Sequence, residues 1–442
     1  MQVNATTPLP RVEVSATGPD LTSRAGTALL SALADRLGLT GGLTAALRCH
    51  SRRVRHEPGR VVRDLAVMLA DGGDALCDLG ALRDQEVLFG PVASDATAYR
   101  CLERLDEAAL SRMRAARAAA RARAWGPGEA PRRLVLDIDA TLLTAHSEKE
   151  GAAGTYKGGF GFHPLLCFEA ATGEALAGVL RPGCAGANTA ADHVALLGLA
   201  LAQLPEGVPN RGTLVRCDSA GATHDFLDAV VACGLAFSVG CDLTERVREA
   251  ILALLESAWT PALDSEGCDR EGAWVAELAL DLSAWPAGTR AICRRERPHP
   301  GAQLSFSDAG GHRFQVMLTN QKGSRIARLE QVHRQRAAIE DSIRCAKASG
   351  LRNLPFRSYA MNAAWLELVL CGIDLLSWTR RLLLPGTELV ACEPKRLRYR
   401  LLHVAGRIVR HAGGVHLRLP RSWPWAQTLA AAFARLQALP SG

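Results

Sequence analysis

Leu134-Val135-Leu136-Asp137-Ile138-Asp139-Ala140-Thr141 alternates apolar and acidic side chains. A strand of period two puts Leu134, Leu136 and Ile138 on one face and both acids on the other. Two carboxylates on one strand face are costly unless a cation or a donor meets them. Read over residues 134–143, this strand runs into the Gly-rich connection Tyr156-Lys157-Gly158-Gly159-Phe160-Gly161. Apolar segments at 162–168 and 175–180, separated by the turn sequence Ala171-Thr172-Gly173-Glu174, complete a three-stranded antiparallel meander. Helical periodicity over 190–204, a buried strand at 213–217, a helix near 223–231 and a strand at 236–239 follow, giving the order βββαβαβ. Residues 241–311 interrupt this pattern with a helix and β-like segments at 274–282 and 289–294, which reads as an inserted domain. A strand at 314–319 and one long helix over 324–349 close the unit.

The flanks differ in texture. Residues 21–124 read as mostly helical, with Leu29, Leu33 and Leu37 at helical spacing. Ser94-Asp95-Ala96-Thr97 has the form of an N-cap for a short helix carrying Arg100 and Arg104, which reads either as part of a helix-turn-helix or as a packing helix. Arg112, Arg114, Arg117, Arg121 and Arg123 decorate an Ala-rich helix that stops at Trp125-Gly126-Pro127-Gly128. From residue 394 onward there is no Asp or Glu, while Lys395, Arg396, Arg398, Arg400, Arg407, Arg410, Arg418, Arg421 and Arg435 accumulate around Trp423 and Trp425. Cations beside flat apolar rings suit a phosphate backbone better than a small acidic metabolite.

A chain of 442 residues with 48% hydrophobic and 22% charged content belongs with globular proteins, which sets aside disordered and fibrous classes. Its net charge of +7 points to an anionic partner. The 13 cysteines are odd in number and never spaced Cys-x-x-Cys, so neither a disulfide framework nor a zinc ribbon is expected, and a reducing cytosol fits. Residues 1–10 lack a charged segment followed by an apolar one, so no secretory signal is read. The apolar run 363–378 contains Glu367 and Asp374 and falls short of a spanning length, so it reads as a buried helix and no membrane partner is expected.

Asp218 ends the strand Leu214-Val215-Arg216-Cys217, at the sheet edge where α/β proteins present functional groups. His333, Arg336, Glu340 and Lys347 follow at spacings of 3, 4 and 7 on the predicted helix, within about 60° of one another at roughly 100° per residue. Val332, Ile339, Ile343 and Ala346 form the adjoining stripe, so the helix would pack its apolar side and aim Glu340 at the strand ends. Taken alone, the same spacing also describes a solvated stripe with Arg336 and Glu340 as an i,i+4 pair.

Together these pieces resemble the DDE transposases of bacterial insertion sequences, and most closely the DDE-group-1 type. The resemblance rests on Leu136-Asp-Ile-Asp-Ala-Thr141, His163-Pro164, Arg216-Cys-Asp-Ser219, Arg336-x3-Glu340-x6-Lys347 and Asn362-Ala-Ala-Trp365. The related signature begins with a tyrosine where this chain carries His333. The resemblance implies an α/β fold with an RNase H-like, retroviral-integrase-like catalytic core. That core is interrupted by an inserted domain and flanked by a helical N-terminal domain and a basic C-terminal region. The expected divisions are 1–128 for the DNA-binding helices, 131–240 for the first part of the core, 241–311 for the insertion, 312–350 for the last strand and the Glu-bearing helix, and 351–442 for the remainder. It implies cleavage at transposon ends and strand transfer of the freed 3′-hydroxyl into target DNA, in the bacterial cytosol or nucleoid. Asp139, Asp218 and Glu340 would hold two Mg²⁺ or Mn²⁺ ions, whose hard-oxygen preference these carboxylates meet. Arg336, Lys347 and His333 would contact DNA, with Asp137 and His163 as further candidates. The partners implied are double-stranded DNA, both terminal inverted repeats and target, and a second copy of the chain on that DNA.

Two other readings compete. Residues 134–141 also satisfy the haloacid-dehalogenase phosphatase pattern, in which Asp137 is an aspartyl nucleophile and Asp139 the general acid/base. Against it, the strand runs into an antiparallel meander, and the acid-free C-terminal region lacks a purpose. The second is a transposase-derived DNA-binding protein without catalysis, against which Asp139, Asp218 and Glu340 all stand intact.

Overall fold

The computed structural model describes residues 20–440 except 49–54, 127–129, 147, 209–211, 299–300, 302–309 and 412–413. Residues 1–10 and the Pro127-Gly128 half of the expected linker therefore lie outside the described residues.

The acid-bearing strand is β1 (Val135–Ala140), and its alternation is realised: Leu136 and Ile138 are fully buried while Asp137 and Asp139 face the opposite side. It pairs antiparallel with β2 (Leu165–Glu169), which pairs antiparallel with β3 (Ala175–Val179). The β2–β3 turn is held by Glu169, whose carboxylate accepts from the Ala171 and Thr172 amides at 2.9 and 2.7 Å, with Gly173 in the left-handed region at φ 68°. On its other edge β1 pairs in parallel with β4 (Leu214–Cys217), and β4 in parallel with β5 (Ala236–Cys241). The helices α6 (Ala190–Leu201) and α7 (His224–Ala232) make the two crossovers. The strand expected to reach residue 143 stops at Ala140. Leu143–Thr144, Ala153–Gly154 and Phe160–Phe162 form a separate small sheet. Gly161 permits this close approach, since a Cβ there would meet the Leu143 carbonyl oxygen at 1.9 Å.

The segment read as an insertion continues the same sheet. After α8 (Glu245–Leu252), strands β6 (Thr260–Leu263), β7 (Asp269–Leu278) and β8 (Arg290–Glu296) lead to β9 (Arg313–Thr319), which pairs antiparallel with the outer edge of β5. Among the described residues the mixed sheet thus has nine strands in the order β6-β7-β8-β9-β5-β4-β1-β2-β3. Covering the β5 edge satisfies backbone groups that would otherwise stand unpaired.

Beyond β9 the single long helix is replaced by α9 (Ile326–Arg334), a 3₁₀ turn at Gln335–Ala337 and α10 (Ala338–Ala346). The Val332 carbonyl, which an unbroken helix would offer to the Arg336 amide, receives the Arg216 guanidinium from β4. The 3₁₀ turn falls between His333 and Glu340, so these two residues are not joined by one uninterrupted α-helix.

Of the N-terminal helices, α1 (Ala28–Arg36), α3 (Pro58–Asp71) and α5 (Glu107–Ala124) pack against α11 (Tyr359–Trp378), while α2 (Leu39–Ala46) packs on α3 and α5 and α4 (Asp95–Leu102) on α3. Helix α11, with the residues that follow it to Leu383, is long and apolar enough to cross a membrane by composition, but 89% of its most apolar window is buried inside the protein. Arg117 and Arg121 of α5 do not decorate a surface, being 3% and 0% exposed. Arg121 meets Glu174 at 2.8 Å and also pairs with Asp374. Arg117 meets Asp374 and Glu367, each at 3.0 Å. Glu174 accepts further from Trp125 at 2.7 Å and Arg381 at 2.6 Å. The hairpin Gly406–His411 with Gly414–Arg418 pairs to Leu21–Thr22, and α12 (Ala426–Ala438) packs on α1. Within the basic C-terminal stretch Arg398 is structural, donating to Ala70 and Ala348 carbonyls at 2.8 and 2.9 Å.

Removing one partner from a buried ion network leaves an uncompensated charge, at a cost of about 3–5 kcal/mol. Arg121→Met is therefore expected to lower stability by about that amount in urea unfolding, with α5 and the sheet still melting in one transition. A separate early transition of the N-terminal helices in the wild-type protein would contradict this coupling.

Candidate active site

Asp139 lies near the end of β1, and Asp218 immediately follows the parallel neighbour β4, so the pairing of those strands brings both acids to one edge of the sheet. Asp218 accepts from the Ala220 amide at 3.1 Å and so caps a short 3₁₀ turn, which fixes its carboxylate. Asp139 accepts from the Ala140 amide at 2.8 Å. The 3₁₀ break brings Arg336 between them: its Nη2 is 3.1 Å from Asp139 and 3.9 Å from Asp218. Burial pushes the Asp139 carboxyl up to about 6. Arg336 and the Ala140 amide oppose that rise, while the charges of Asp218 and Glu340 add to it.

Glu340, on α10, is exposed. Its charge is felt at Asp139, but among the described residues no three His, Cys, Asp or Glu side chains are gathered closely enough to hold a metal ion. The donor chemistry of Asp139 and Asp218 fits a hard cation, and the Arg336 guanidinium takes the cationic role between them. Asp139 and Asp218 thus offer two oxygen donors suited to a divalent ion at one edge, while Glu340 stands exposed on the adjoining helix.

The other expected residues fall into two groups. His163 lines a cavity of about 90 Å³ beside both acids. It is 3% exposed, and its Nδ1 lies 3.1 Å from the Ala185 carbonyl. Asp137, His333 and Lys347 are committed elsewhere. Asp137 is 2% exposed and held by two bonds from Arg216, Nε at 2.6 Å and Nη2 at 2.7 Å. His333 turns inward, with Nδ1 2.9 Å from the buried Ser238 hydroxyl. Burial, reinforced by Arg336, Arg216 and Arg294, drives its pKa down to about 3, so the ring is neutral. Lys347 donates to the Leu142 carbonyl at 3.1 Å, bracing α10 against the end of β1. Sequence reading missed His193, at the start of α6, and Tyr156, both of which line the cavity. The only local signal for His193 is its place in the first turn of the helix that follows the meander.

The Asp139 carboxyl titrates near 6 in the folded chain against an ordinary 3.8. A raised folded value contributes stability below 3.8 that is lost as pH rises through 6. In chelator, Asp139→Asn is expected to raise the thermal midpoint at pH 8 and to have little effect at pH 4. Each pKa unit corresponds to about 1.4 kcal/mol. A gain that does not vary with pH between 4 and 8 would contradict the assignment.

The model of the family described as transposase DDE domain group 1 matches residues 5–441. No curated protein matches the chain. Among solved structures it is similar to the piggyBac transposase synaptic complex with hairpin DNA, at 11% sequence identity and a TM-score of 0.46, over 83% of this chain and 76% of that one. The family match runs through every element that builds the acidic edge, from β1 to α10, and on that match this chain belongs to the transposase DDE domain group 1 family.

Proposed function

We propose that this chain is a DNA transposase of an insertion sequence, with Asp139, Asp218 and Glu340 as its metal-binding and catalytic acids. The observation that carries the reading is the pair of acids at adjacent parallel strand ends with a cationic side chain between them. The strand order β3-β2-β1-β4-β5, antiparallel up to β1 and parallel beyond it, supports an RNase H-like core. Divalent ions, Mg²⁺ or Mn²⁺, would be held by Asp139 and Asp218 with Glu340 from α10. When bound they would activate the attacking oxygen and stabilise the leaving one. Arg336 neutralises the acids until the site is loaded and is then placed to meet a scissile-strand phosphate, for which its fork geometry is suited. Lys347 fixes α10 relative to β1, and so fixes the approach of Glu340. No covalent enzyme intermediate is required. The phosphatase alternative needs Asp137 as an accessible nucleophile, and that group is buried in a two-bond pair with Arg216.

The helical N-terminal region supports a DNA partner by a separate observation. A cleft of about 770 Å³ between α3, α4 and α5 is lined by Arg48, Arg55, Arg83, Arg100, Arg104 and Arg112, against two acids, Glu86 and Asp106. Its cations are spread over several helices, as tracking a phosphate backbone requires.

Purified protein is expected to cleave a plasmid carrying the terminal inverted repeats that flank its coding DNA, only with Mg²⁺ or Mn²⁺. Asp139→Asn, Asp218→Asn and Glu340→Gln should each reduce this at least 100-fold while leaving band shifts intact. Phosphomonoester hydrolysis without DNA cleavage would overturn the reading, and intact binding without cleavage by the wild type would favour a binding-only protein. For the cleft, Arg100→Ala and Arg104→Ala are each expected to weaken binding of the repeats. Each should also reduce the slope of log affinity against log salt by about one. An unchanged slope would remove the cleft from the interface.

A further inference from the structure

His193, which lines the cavity beside the acids, carries a buried polar atom that has no partner among the described residues. His193 is 1% exposed, and its Nδ1 lies 3.0 Å from the Thr189 carbonyl oxygen. A carbonyl can only accept, so Nδ1 carries the proton and Nε2 is left with a lone pair. That Nε2 is buried and has no hydrogen-bond partner. The ring is held on its flank by Phe226, with centroids 5.2 Å apart, so it cannot easily turn to find one.

The cavity of about 90 Å³ that His193 lines is also bounded by Asp139, Asp218 and His163. His163 has the same tautomer logic, since its Nδ1 is committed to the Ala185 carbonyl. The Cys217 thiol, also on the wall, is engaged with the Asp218 carboxylate at 3.5 Å. Apart from the Tyr156 hydroxyl, which can donate or accept, the wall's polar side chains are two carboxylates, two imidazoles and the engaged Cys217 thiol, and this excess of acceptors around one small space calls for an occupant that donates. Water is such an occupant, and the volume admits at least one. Burial lowers the pKa of His193, and the nearby charge of Asp218 only partly opposes that, which keeps the acceptor available at neutral pH.

We propose that this cavity holds the water that attacks the scissile phosphodiester and that His193 Nε2 positions it by accepting one of its hydrogen bonds. The inference rests on the reading of Asp139 and Asp218 as the reaction centre. In that step the water oxygen forms the new bond to phosphorus, and the P–O3′ bond breaks with its electron pair passing to the 3′ oxygen. The proton lost by the water goes to solvent and the 3′ oxygen takes one up from solvent. His193 ends as it began. Strand transfer uses a DNA 3′-hydroxyl, which its own strand holds in place, so it does not depend on this water.

The two reactions separate a positioning role from a structural one. His193→Asn keeps a polar group near Nδ1 for the Thr189 carbonyl but has no atom at Nε2, while His193→Gln places an amide oxygen near Nε2. Each variant is assayed on uncut duplexes bearing the terminal repeats, for hydrolytic cleavage, and on pre-cleaved duplexes, for strand transfer. The expected result is a 10- to 100-fold loss of hydrolysis in His193→Asn, strand transfer within about 3-fold of wild type, and partial recovery of hydrolysis in His193→Gln. Strand transfer at near wild-type rate itself reports an intact fold. Equal losses in both reactions, loss of both in both variants, or unchanged hydrolysis in His193→Asn would overturn the proposal. If the wild type performs neither reaction, it is the transposase reading that fails.

Discussion

Two carboxylates brought to one partly buried sheet edge demand a positive charge, and in this chain Arg336 supplies it. Much of the local architecture follows from that demand. Arg336 reaches Asp139 and Asp218 from a 3₁₀ turn between α9 and α10, and that turn begins where Arg216 takes the Val332 carbonyl. Arg216 is in turn the buried partner of Asp137, one pleat back from Asp139 on the same face of β1. The second acid of the strand is therefore a structural group that anchors the helix pair carrying Arg336 and Glu340. The chemistry of the edge and the packing behind it share two arginines, one on each side of the sheet-helix boundary.

A second set of arginines sets the rigidity of the whole. Arg117 and Arg121 carry charge from α5 into the core, where Glu174, Glu367 and Asp374 receive it with almost no exposure. Such a network is costly to assemble and costly to break, so it makes the position of the N-terminal helices relative to the sheet specific. The arginine-lined cleft is built in part from that same α5, which ties the cleft to the β2–β3 turn and α11 through buried ion pairs.

The sequence was most informative where structure is local. The alternation of residues 134–140 dictates which side of the strand bears the acids, and turn chemistry at 171–174 marks the meander; both appear as read. Features that depend on distant partners were not visible. The helical stripe of Val332, Ile339, Ile343 and Ala346 gives no sign of the break at 335–337, because the break involves Arg216 on another element. An Ala-rich helix bearing five arginines looks solvated until Glu174, Glu367 and Asp374 arrive from far along the chain. The segment 241–311 looks separate because the pairing of its strand β8 with β9 leaves no local trace. His193 has a local partner in Thr189, but the cavity that gives its free nitrogen meaning is assembled from three separate strands and loops.

If Arg336 stands in for a cation, removing it should uncover the site for a real one. Manganese binding followed by electron paramagnetic resonance, in the absence of DNA, reads this directly. Saturable binding is predicted in the wild type, tighter binding in Arg336→Ala, and loss of that binding in Asp139→Asn. Binding that survives Asp139→Asn unchanged, or that weakens when Arg336 is removed, would contradict the account.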